Sequence, residues 1–242
     1  MNEKELYNLV NERTINGREW EQGLAFPTLM RKVYVWMALA LAITGVTAFG
    51  VANSPILLQT IYSSQTALWI LALAELGIVF YTSARLDKLS LTTATFLFIL
   101  FSVLNGVTMS FIFLLYTMSS IATTFFVTAG TFAAMALIGY TTKKDLTKLG
   151  GILFMALIGL IIAGIVNIFM RNSMFNMIIS GLGVLIFVGL TAWDSQKIKQ
   201  MLLMAPDAGE ASQKIALMGS LSLYLDFINM FIYLLRLFGR RD

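Results

Sequence analysis

Three carboxylates lie inside otherwise apolar stretches of this 242-residue chain: Glu75, Asp194 and Asp226. Because 58% of the residues are hydrophobic and only 12% charged, an acid in such a stretch needs a reason to be there. An Asp at the centre of a membrane helix costs about 2.5–3.5 kcal/mol on insertion scales, and such residues face the bundle interior or an aqueous cavity. Asp226 sits in Leu221-Ser-Leu-Tyr-Leu-Asp-Phe-Ile-Asn-Met-Phe, and Ser222, Asn229 and Tyr233 share its face at helical spacing. A lipid-facing helix gains nothing from that polar stripe, whereas one lining an ion path does, so these three are candidate pore-lining residues. Asp194, in Gly189-Leu-Thr-Ala-Trp-Asp-Ser-Gln-Lys with Thr191 on its face, reads on its own as a helix-end residue that snorkels to the interface. Its neighbour changes that reading. The sixth and seventh apolar segments form an antiparallel hairpin, and if both helices run a few turns past the hydrocarbon, Asp194 and Asp226 can come level.

Two facing carboxylates in low dielectric cannot both ionise easily, so such a pair shares a proton or binds a cation. Glu75, in Leu71-Ala-Leu-Ala-Glu-Leu-Gly-Ile-Val-Phe, has an apolar face apart from Thr82. It is either a neutral hydrogen-bond donor between helices or a further pore-lining group. Arg85 ends the same segment, as a topology anchor or as a cation reaching inward to a carboxylate.

The segments that must position these residues are spans of about 20 apolar residues each. With a mean hydropathy of +0.79, the chain reads as an all-α polytopic membrane protein with spans near 33–53, 66–84, 92–116, 121–140, 150–170, 176–194 and 215–236. Continuous apolarity, without two-residue alternation, excludes barrel strands. Residues 1–32 are expected to form a cytoplasmic tail without a cleavable signal, 33–238 one seven-helix membrane domain and 239–242 a short C-terminal tail. Small residues at Gly45, Gly50, Gly159, Gly164, Gly181 and Gly183 are expected to let helices pack closely.

The formal net charge of +4 is distributed as topology markers, not as a nucleic-acid patch. Arg31 and Lys32 precede the first span, Arg85 and Lys88 follow the second, Lys143, Lys144 and Lys148 join the fourth to the fifth, and Lys197, Lys199 and Lys214 join the sixth to the seventh. The alternate loops are nearly bare, which puts the N-terminus in the cytoplasm. Seven spans then place Arg240 and Arg241 outside, against the same rule. There is no cysteine and no histidine. That removes thiol chemistry, histidine-based catalysis and histidine zinc sites, and leaves any proton sensing to carboxylates.

With those residues in place, the chain resembles the Bax inhibitor-1 (transmembrane Bax inhibitor motif) family in a bacterial version. The resemblance rests on Ala74-Glu-Leu-Gly-Ile-Val-Phe with Ser83-Ala-Arg, Leu104-Asn-Gly-Val-Thr-Met-Ser, Lys143-Lys-Asp-Leu, Asn167-Ile-Phe, Trp193-Asp with Gln196-Lys-Ile-Lys, and Ser222-Leu-Tyr-Leu-Asp-Phe-Ile-Asn-Met-Phe running to Leu234-Leu-Arg. It implies six helices surrounding a central seventh and a pH-sensitive calcium leak across the bacterial cytoplasmic membrane. The resemblance implies that Asp194 and Asp226 are the acidic pair, acting as proton sensor and cation site, and that Arg85 is the latch; since calcium takes six to eight oxygens and two carboxylates supply at most four, the site it implies is weak and suits passage rather than storage. No cofactor is implied beyond calcium as permeant ion, and the partners are the lipid bilayer, calcium and protons. Protein partners are not identified by the sequence. The alternatives are a membrane regulator that binds other membrane proteins or proteases without transport, and an intramembrane aspartyl protease. The protease reading is opposed by Leu223, Tyr224 and Leu225 standing where such enzymes carry Gly-x-Gly before the Asp, so the chain is read as a non-enzyme.

Overall fold

The computed structural model describes the backbone of residues 3–240 and the side chains of residues 25–240. Charged side chains of the N-terminal tail up to Glu21, and Arg241 at the other end, lie outside the described residues. Among the described residues the chain is all-α, with α1 (Glu3–Ala52), α2 (Pro55–Tyr62), α3 (Gln65–Arg85), α4 (Leu91–Met109), α5 (Ile112–Leu115), α6 (Met118–Thr141), α7 (Thr147–Met170), α8 (Ser173–Leu203) and α9 (Glu210–Phe238). Seven stretches are long and apolar enough to cross a membrane: Ala25–Ala52, α3, Leu91–Leu115, α6, α7, α8 and α9. The first starts at Ala25 instead of residue 33, because α1 runs unbroken through Pro27, Arg31 and Lys32. The sixth extends to Leu203, so Asp194 is nine residues inside its helix and not at its end.

Short connections follow from the residues at the helix starts. Ser90, Thr117 and Asn172 each accept the backbone N–H three residues on, supplying one of the hydrogen bonds that a first turn lacks. At the α7–α8 junction only Arg171 and Asn172 intervene; Arg171, at φ 51°, turns the chain in the left-handed region and Asn172 starts the next helix at once. Two antiparallel helices therefore leave that corner side by side.

The last span is the most enclosed, with 67% of its apolar window buried against 6% for α3 and for α7. α9 packs against α1, α4, α6 and α8, whereas α3 rests on α4 and α7 on α8. Trp69, Leu73 and Phe80 of α3, and Ile161, Ile168 and Phe169 of α7, are correspondingly exposed. Faces that are apolar all round gain little by leaving lipid, so these helices stay on the outside. The glycine expectation holds only in part. Gly183 packs under the ring of Tyr233, but Gly45, Gly50, Gly159, Gly164 and Gly181 face open space, and the close approaches fall instead at positions such as Gly106 and Gly139.

Candidate functional site

The register of the α8–α9 hairpin decides where the two aspartates meet. Gly183 lies against Tyr233 and Ile198 against Gly219, which puts Asp194 opposite residue 222 or 223. Asp226 is then three to four residues further along α9, an axial offset of about 5 Å. Along the hairpin the two residues are offset by one helical turn and not level, and Asp226 lies within the electrostatic field of Asp194.

Asp226 is 5% exposed, and its Oδ2 is buried with no hydrogen-bond partner. A carboxylate oxygen in that position calls for a proton or a cation, since burying a polar atom with neither is costly. Asp194 is half-buried. The cation that acts on it is Lys197, one turn along α8, whose Nζ lies 4.9 Å from the centre of the Trp193 ring. The adjoining residues fasten this part of α8 to the α6 side. Ser195 Oγ donates to Ala136 O at 2.8 Å, Gln196 Nε2 donates to Lys144 O at 2.8 Å, and Gln196 Oε1 accepts from Leu146 N at 2.8 Å. Lys197 went unrecognised in the sequence except as a topology charge; its three-residue spacing from Asp194 was the available signal. Among the described residues no group of three or more acidic, His or Cys side chains could hold a metal ion.

The stripe beside Asp226 is more internally satisfied than its sequence suggests. Asn229 Nδ2 donates to Leu225 O of its own helix at 2.8 Å, Ser222 is half-buried, and the Tyr233 ring stacks on Phe187 at 5.9 Å. Tyr233 and Arg236 nevertheless line a cavity of about 550 Å³ together with Asn167 and Asn176, at the far end of the bundle from the α6–α7 turn.

Glu75 belongs to a different constellation. Thr108 Oγ1 donates to its Oε1 and Asn105 also bonds it. Asn105 Oδ1 accepts from Tyr224 OH at 3.1 Å, and that hydroxyl is 2.7 Å from Thr44 Oγ1, which donates to Ser102 O. This chain of polar groups ties outer α3 to α4, α9 and α1. Tyr224, Asn105 and Thr44 were not singled out in the sequence as site residues, although Asn105 stands out as an amide in an apolar run. Arg85 is exposed at the end of α3. The turn after it is held by Lys214 Nζ, which donates to Leu89 O at 3.0 Å. Lys214 is twelve residues, about 18 Å along the helix axis, from Asp226, so the structure does not bring Arg85 to the acidic pair.

Comparison with known proteins fits this architecture. The chain is 45% identical over 215 residues to the inner membrane protein YbhL of Escherichia coli (strain K12), covering 88% of this chain and 92% of YbhL. It is 47% identical over 224 residues to a protein of Borreliella burgdorferi, covering 93% and 97%, and 42% identical over 232 residues to the protein RP147 of Rickettsia prowazekii, covering 94% and 95%. Residues 27–242 match the family described as inhibitor of apoptosis-promoting Bax1, and the chain therefore belongs to the Bax inhibitor-1 family of membrane proteins.

Proposed function

We propose that this protein is a pH-sensitive calcium leak of the bacterial inner membrane, with Asp194 and Asp226 as proton sensor and cation site. The observation that carries the reading is the buried Oδ2 of Asp226, without a hydrogen-bond partner and in the field of a second carboxylate. Ionised, the pair attracts a divalent cation; singly protonated, it holds one less strongly and lets it pass; doubly protonated, it attracts none. Flux should then rise on mild acidification and fall again in stronger acid. Similarity to YbhL, named an inner membrane protein, supports the compartment, and the lysines and arginines gathered at alternate loops favour a cytoplasmic N-terminus. The Arg85 latch belongs to another conformation, reached by movement of the lightly packed α3. Purified protein in liposomes loaded with a calcium dye, assayed across pH, tests the reading; wild-type kinetics in both Asp194→Asn and Asp226→Asn would favour a non-transporting regulator.

A further inference from the structure

A second feature lies away from the acidic pair, where the start of the α1 span and the end of α6 diverge. Phe26 and Tyr140 stack at 6.4 Å, and beside them opens a crevice of about 540 Å³. Its walls are apolar, including Pro27 and Met30 from α1 and Phe132, Ala133 and Leu137 from α6. Arg31 is the one charged residue in the lining among the described residues, and it is exposed. A second cation adjoins the crevice: Lys199 Nζ donates to Tyr140 O at 2.8 Å and lies 4.9 Å from the centre of that ring. Among the described residues no acidic side chain lines it.

The crevice runs from the ends of both spans inward over residues 132–140 of α6, about 12 Å of helix. An occupant at that depth cannot bring backbone polar groups, because the crevice wall offers them almost no partners. A hydrocarbon chain needs none. At the mouth, Arg31 and the neighbouring Lys199 complement a negative headgroup, as basic pockets between membrane helices do. We propose that this crevice holds an anionic phospholipid, with an acyl chain against Phe132, Ala133 and Leu137 and its phosphate at Arg31.

The test exploits the absence of cysteine. Leu137, at the rim and 62% exposed, is replaced by Cys and labelled with benzophenone maleimide in the full-length protein. Vesicles contain equal amounts of phosphatidylglycerol and phosphatidylcholine with identical acyl chains, and adducts are identified by mass after irradiation. The expected result is a one-lipid adduct favouring phosphatidylglycerol about fivefold, the worth of one cation near an anionic surface. Arg31→Gln should bring the ratio close to one, and Ala133→Phe, which fills the crevice, should reduce adduct yield. The same label at exposed Ile161 on outer α7 should show no preference. Equal adducts of the two lipids at position 137, an unchanged ratio in Arg31→Gln, or cross-linking to residues 1–24 or to a second copy would each overturn the proposal.

Discussion

Gly139 is where the position of Asp194 is set most tightly. A Cβ on this residue would run into the carbonyl oxygen of Ala192, two residues before Asp194, and would lie 2.8 Å from its carbonyl carbon and 2.9 Å from its Cα, where ordinary contact begins at 3.4 Å. The obstacle is backbone, so no side chain can rotate aside. Gly139→Ala must therefore move α6 and α8 apart by about 1–1.5 Å. Overpacking of that kind costs about 1–3 kcal/mol. The same movement strains the bond from Ser195 to Ala136, an interhelical bond worth about 0.6–1.7 kcal/mol within a membrane. The sum, about 2–5 kcal/mol, is read by reversible SDS unfolding from mixed micelles, followed by tryptophan fluorescence. Gly45→Ala, with nothing within 4 Å of its Cβ, is the control and should be neutral or slightly stabilising. Equal stability of the two variants would show that α6 and α8 do not approach as described.

Tyr224→Phe removes the hydroxyl shared by Asn105 and Thr44 and should lower stability by about 1–2 kcal/mol in the same assay; no change would mean that the polar chain is not formed. Arg85→Ala should raise flux at neutral pH and flatten its rise on mild acidification; wild-type flux and pH response would end the latch assignment. Thr147 N and Oγ1 donate to Asp145, outside the spans, and hold its carboxyl below the usual carboxylate range. Its contribution to the start of α7 is thus present above the unfolded-state value and lost only as pH falls through the lower folded one. Protection of the Thr147 amide, taken relative to its intrinsic exchange rate at each pH, should be kept near neutrality and fall in strong acid.

The spans and the acidic residues were legible because length and apolarity suffice to mark a membrane helix, and a carboxylate in such a helix is conspicuous. Interfaces were harder to read. Lipid-facing and core-facing sides of α7 are equally apolar, so Gly159 and Gly164 resemble packing glycines yet face open space. The offset of Asp194 from Asp226 depends on the hairpin register, set by Tyr233 under Gly183 and Ile198 against Gly219, which no periodicity within one helix reveals. Thr44 and Tyr224 meet across 180 residues; each is unremarkable within its own segment. Arg85 lay on a promising helix, but only the tether from Lys214 to the α3–α4 turn shows how far from Asp226 it is held.

Calcium entry into dye-loaded liposomes, measured across pH for the wild type, Asp194→Asn and Asp226→Asn, tests the acidic pair most directly. The wild type should show flux that rises on mild acidification and declines in stronger acid, and each variant should lose most of that flux while remaining folded in the membrane. Wild-type flux and pH response in both variants would contradict the assignment of Asp194 and Asp226 as sensor and cation site.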